Sequence, residues 1–263
     1  MEEIHFTSDI TLESFKNQNW SIGDSYNVEF FPGKLVPVYL FDTNSDLTET
    51  IETMSQDQII FANFEYVAPR FKAPPICLYS FCCTSGVYLI KQADFTPNEQ
   101  IKNFLTGKQF IGCKIGDIFH RFQKLFGRNF YINYNNVIKN QIPSEDSHDL
   151  KDIFLKYAGT PSADFDTHPS KIDKKILTKE QVLTCGYIVY ALSLSYPNLP
   201  NQNTEKPTKS REKKDEYTII FDKGFLPSTV PKKARIGCTY KIEFYPEEFI
   251  EVKFINSNSD LTQ

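Results

Sequence analysis

Two short stretches carry the residue types that could do chemistry. Cys185 sits in Leu183-Thr184-Cys185-Gly186-Tyr187-Ile188-Val189. A helix opening at Thr184 would use that residue as its N-cap and put Cys185 at the first helical position. The unpaired amide N–H groups and the helix dipole would then lower the thiol pKa and favour a nucleophilic thiolate. Such a nucleophile needs a histidine base, and His120 and His168 are the candidates. Thr178-Lys179-Glu180-Gln181 offers a different start. Its Thr and Gln have capping-box spacing, which begins the helix earlier and leaves Cys185 in mid-helix as packing.

The second stretch is Asp164-Phe165-Asp166-Thr167-His168. In an extended segment Asp164, Asp166 and His168 share one face, and two carboxylates with an imidazole can hold a divalent metal. The same residues in a loop also serve as solvated turn formers. Gly112 to Gly116 lacks the Lys-Ser/Thr of a phosphate loop, and no CxxC pair exists for structural zinc. No cofactor is expected.

The Cys185 segment, a cysteine opening a buried apolar helix, resembles the nucleophile segment of papain-like hydrolases. The likeness covers this one short segment. It implies a cysteine hydrolase with Cys185 as nucleophile and either His120 or His168 as its partner.

The elements that would position these residues begin with a repeat. Ile22 to Thr48 and Ile236 to Thr262 align without gaps, and twelve of the 27 positions are identical. In each copy, alternation of large apolar and polar residues predicts a strand hairpin. Ile59 to Val67, Ile76 to Cys83 and Val87 to Gln92 read as further strands. Helices are predicted behind Thr96, over 117–126, over 149–157 and behind Thr178, with a loop over 158–177. The last helix is apolar nearly all round and should be buried.

The expected fold is α+β: an antiparallel, aromatic-rich sheet with a helical middle. Residues 1–196 form the main domain, β-rich over 1–92 and helix-rich over 96–196. Residues 197–216 read as a linker. Residues 217–263 carry a partial second copy of the hairpin element, which should dock on the first domain because an isolated hairpin is marginal in water.

Phe 23 and Tyr 14 among 263 residues favour sheet. The net charge of −4 argues against a generic nucleic-acid binder, which needs a basic face. No apolar run reaches membrane-spanning length, and the acidic start lacks signal-peptide features. A cytoplasmic protein with free thiols follows. Without a complete catalytic set, the first expectation is a non-catalytic scaffold with a protein partner, presenting the duplicated β surface. The papain-like hydrolase is the alternative.

Overall fold

The computed structural model describes residues 1–66, 76–94, 96–113, 115–137, 141–142, 149–168, 172 and 176–200, with 219–220, 239–245 and 248–253. The chain divides into two units, Met1–Asn203 and Thr204–Gln263.

The first unit is built on one eight-stranded sheet. Its strands are β1 (Glu2–Ile4), β2 (Ser25–Phe31), β3 (Lys34–Asp42), β4 (Ile59–Tyr66), β5 (Ile76–Cys83), β6 (Gly86–Lys91), β7 (Gln109–Gly112) and β8 (Asn133–Asn136). Their spatial order is β1-β2-β3-β6-β5-β4-β7-β8. The helices are α1 (Thr48–Met54), α2 (Glu99–Gly107), α3 (Ile115–Phe126), α4 (Leu150–Tyr157) and α5 (Lys179–Ser195).

The sheet is mixed, which corrects the antiparallel expectation. β2 with β3, β4 with β5 and β5 with β6 are antiparallel. β1 with β2, β3 with β6, β4 with β7 and β7 with β8 are parallel. The cause is the placing of helices between strands. α2 precedes β7 and α3 precedes β8, so the chain recrosses the sheet before each and re-enters in the same direction. The fold is therefore mixed α/β, with helices interleaved among the strands.

Both sheet faces are covered, so the central strands read as nearly continuous apolar runs. Along β6, Val87 and Leu89 join one core while Tyr88 and Ile90 join the other. The first core includes residues of α4 and α5, the second residues of α1, α2 and α3. Among the described residues, no helix is long and apolar enough to cross a membrane.

Cap chemistry sets several helix starts. The Thr178 side chain accepts from Gln181 N at 3.2 Å, and Gln181 Oε1 accepts from Thr178 N at 2.9 Å, a complete capping box on α5. Asn98, rather than Thr96, caps α2, its Oδ1 accepting from Ile101 N at 3.0 Å.

In the second unit, β10 (Thr239–Tyr245) and β11 (Glu248–Lys253) form an antiparallel hairpin, with β9 (Ile219–Ile220) paired to both. The hairpin pairs Ile242 with Ile250 and shifts register between Glu243 and Tyr245. In the first unit, β2 and β3 pair Val28 with Val36 and shift between Glu29 and Phe31. Both pairs differ by the same step (242 − 28 = 250 − 36 = 214).

The short β1 is pinned to the sheet edge by a histidine. His5 Nδ1 lies 2.5 Å from Glu29 Oε2, and its Nε2 lies 3.1 Å from Glu3 Oε2. The Gly33 N–H donates to Glu29 Oε1 at 2.6 Å. Hydrogen bonding to Glu29, then to Glu3, raises the His5 pKa above its ordinary 6.5. The Gly33 N–H, then His5, holds the Glu29 carboxyl below 4.5. The His5 contribution is full below 6.5 and fades as pH rises through the raised value. The Glu29 contribution is full above 4.5 and fades as pH falls through the lowered value. The pin should therefore be tightest between pH 4.5 and 6.5. Amide exchange in β1, corrected for intrinsic rate, should be slower in that window than in mildly alkaline buffer. His5→Ala should abolish the difference, and a flat profile in the parent protein would show that the pin does not hold the strand.

Candidate functional site

The site forms where β4 outruns its parallel neighbour. β7 pairs with β4 from Ile59↔Gln109 to Phe61↔Ile111 and ends at Gly112. Beyond it the chain turns into α3. Gly112 is where that turn is made: a Cβ there would sit 2.5 Å from Ile115 Cγ1 and 2.7 Å from the Ala62 carbonyl oxygen, closer than real Cβ contacts come. Asn63, Phe64, Glu65 and Tyr66 continue past that point and line a cavity of about 340 Å³ with Cys113, Ile115, Ile118, Leu150, Thr167 and His168. The cavity lies beyond the carboxyl ends of parallel strands, a habitual place for ligands in α/β sheets.

Strand alternation sorts the β4 side chains. Ile60, Ala62 and Phe64 enter the core under α2 and α3. Asn63 and Glu65 point the other way, both half-buried. Asn63 Nδ2 donates to Glu65 Oε1 at 2.7 Å, so the pair presents as one hydrogen-bonding unit. A register shift between Glu65 and Tyr66 bends the strand end; such bulges re-aim side chains.

The loop expected over 158–177 brings in the opposite wall. Phe165 is buried and stacks on Tyr187 of α5, ring centroids 4.5 Å apart. The Ser162 N–H donates to the Phe30 carbonyl at 2.9 Å. Asp166 Oδ1 accepts from His168 N at 2.9 Å, forming the turn that presents Thr167 and His168.

Chemically, this is a site of amide, hydroxyl, thiol and imidazole groups and one carboxylate. It can donate to and accept from hydroxyls and base-like edges. The described residues of the site do not make up a metal centre. Two-metal phosphoryl chemistry needs carboxylates bridging a pair of ions, whereas Glu65 is the single carboxylate among the described cavity side chains and already accepts from Asn63. Among the described residues, no three His, Cys, Asp or Glu side chains gather as a metal group.

The residues singled out in the sequence are dispersed. Cys185 lies inside α5, fully buried, because the helix starts at its Thr178 cap. Burial, then the nearby Glu65 charge, pushes its thiol pKa well up, the opposite of an activated thiolate. His120 is exposed on α3. Asp164 pairs with Lys151 at 2.6 Å. Asp164 and Asp166 line a second cavity, whereas His168 lines the first. Cys77, Cys82, Cys83, Cys113 and Cys185 form no disulfide. Sequence reading passed over Asn63 and Glu65. Their signal was two polar side chains at i and i+2 in the otherwise apolar Ile59-to-Val67 strand.

No family model matches the sequence, and no curated protein matches it. Solved structures do. The catalytic core of RRP6 from Trypanosoma brucei matches with a TM-score of 0.55 at 12% identity, over 72% of this chain and 52% of that one. Escherichia coli RNase D, an exoribonuclease involved in structured RNA processing, matches with 0.49 at 15% identity, over 60% of this chain and 43% of that one. Brucella melitensis NrnC with bound Mg2+ matches with 0.46 at 15% identity, over 61% of this chain and 78% of that one. The first unit thus belongs to the class of mixed α/β domains with the fold of the RRP6 catalytic core.

These neighbours overturn two expectations. The scaffold with a protein partner, and with it the papain-like alternative, give way because the fold is that of the RRP6 catalytic core, and Escherichia coli RNase D, an exoribonuclease, is among the neighbours. The exclusion of nucleic acid gives way for the same reason. Net charge is a sum over the chain and does not describe one cavity.

The burial of Cys185 has a direct check. A thiol electrophile should label Cys185 only after denaturation, with no rate gain as pH rises through neutrality. Selective labelling of the native protein at Cys185 would contradict the buried geometry.

Proposed function

We propose that the 1–203 unit binds the end of a single-stranded RNA in the cavity at the ends of β4 and β7. The observation that carries this reading is the coincidence of an RRP6-like fold with a cavity walled by the Asn63–Glu65 pair. Its volume of about 340 Å³ lies within the range of small-ligand pockets. Single-stranded RNA is recognised by hydrogen bonds to base edges and to the 2′-hydroxyl. A carboxylate oxygen can accept from a ribose hydroxyl, and the Asn63 carbonyl can accept from a base amine.

NrnC was solved with Mg2+, but the described donors here do not make such a centre. Binding is therefore expected to proceed without metal. No Lys or Arg is among the described residues lining the cavity, so few phosphate contacts and a shallow dependence on salt are expected, since each contact to a single strand adds about −0.7 to the log–log slope.

Fluorescence anisotropy with a short 5′-labelled RNA tests this. The linear strand should bind with similar affinity in EDTA and in Mg2+, and a circularised strand of the same sequence should bind far more weakly. Glu65→Ala should weaken the linear strand alone. Equal affinity for linear and circular RNA, or no binding of either, would remove the proposal.

A further inference from the structure

Tyr66 is the last residue of β4, and it is built unlike the other cavity residues. It follows the register shift, lines the cavity, and leaves 40% of its surface exposed. The Arg121 guanidinium of α3 lies over its ring, 3.8 Å from the centroid. α3 is itself fixed against β4: Phe122, the next residue, meets Phe64 edge-on at 4.9 Å between centroids. A cation over an aromatic face is attracted by the ring quadrupole. An anchored ring also has less rotamer freedom to lose when a ligand stacks on it.

An exposed aromatic ring, held by a guanidinium and placed at the rim of a cavity, is the arrangement by which proteins stack single-stranded bases. The hydrogen-bonding pair lies beside it on the same strand, with Glu65 adjacent in sequence and Asn63 two residues further back. Tyr66 follows the register shift, and both it and the Asn63–Glu65 pair line the same cavity. The ring offers a π-face there and the pair offers polar groups.

Resting on the RNA-end reading above, we propose that Tyr66, braced by Arg121, is the stacking platform for the terminal base of the bound strand, while Asn63 and Glu65 meet that nucleotide's polar edge. The chemical class is a nucleobase at a strand end. Stacking tolerates any base, because every base has a π-face. The end site should therefore show little sequence preference.

A double-mutant cycle tests the pairing. Four affinities are measured by anisotropy: the parent protein and Tyr66→Ala, each with an RNA ending in a base and with the same RNA ending in an abasic residue. Base stacking on an aromatic side chain makes Tyr66→Ala about 5- to 150-fold weaker on the complete strand. The abasic end should cost the parent protein a similar factor and cost Tyr66→Ala nothing further. Tyr66→Phe should keep parent affinity, and Tyr66→Leu, which preserves apolar bulk, should behave like Tyr66→Ala if stacking is the cause. Circular dichroism melts confirm that each variant is folded.

Parent-like binding by Tyr66→Ala, or an equal abasic penalty in both proteins, would overturn the platform while leaving RNA-end binding intact. Absence of binding by the parent protein would overturn the underlying reading instead. Uridine monophosphate bound as tightly as the strand would show that the ring serves a free nucleotide and would overturn the strand-end assignment.

Discussion

The Cα of Gly112 stands so close to Ile115 and to the Ala62 carbonyl that no side chain fits there. This close approach lets the chain leave the sheet after four residues of β7 and start α3 at once. Everything at the site follows from it. β4 runs on past β7, paired only with β5, its final residues lose a neighbour on one side, and the gap is roofed by α3, α4 and the loop carrying Thr167 and His168. A longer β7 would close the gap with backbone hydrogen bonds.

Behind the gap lies the most buried helix of the unit. α5 packs against the central strands, and Gly186 lets the Phe30 ring approach to 3.0 Å of where a Cβ would be. Phe30 also meets Phe165 and Tyr187, so strand, loop and helix share one aromatic cluster. That cluster holds the loop that brings Thr167 and His168 to the cavity. It also accounts for Cys185: a fully buried thiol on this helix is core, and its raised pKa reflects missing water.

Local signals in the sequence carried the elements well. Thr178 and Gln181 form the capping box that their spacing implies, and Asp149 caps α4, its Oδ1 accepting from Lys151 N. The alternation in β2, β3 and β4 gave true strands, because period-2 burial is written in neighbouring residues. Strand pairing was not legible. β7 is only four residues, Gln109 to Gly112, and its partner β4 ends more than forty residues earlier in the chain. Parallel order is decided by where helices send the chain, so it left no local trace. The site was hidden for the same reason: Asn63, Cys113, Leu150 and His168 meet only once β4 and β7 pair and the loop folds back. The nucleophile and metal candidates were chosen for residue type, and the fold separates them.

Net charge misled in an instructive way. An overall −4 is a whole-chain sum that argues only against a uniformly basic surface. It leaves open a cavity that grips one nucleotide through stacking and hydrogen bonds, with little help from phosphate neutralisation. The most direct measurement is photo-crosslinking with an RNA that carries a single 4-thiouridine at its 3′ end, then at its 5′ end, followed by peptide mapping. The account predicts that one of the two ends crosslinks to peptides containing Asn63 to Tyr66 or the start of α3, and that unlabelled linear RNA competes the adduct away. Adducts confined to other surfaces, or equally strong from an internal 4-thiouridine, would contradict it.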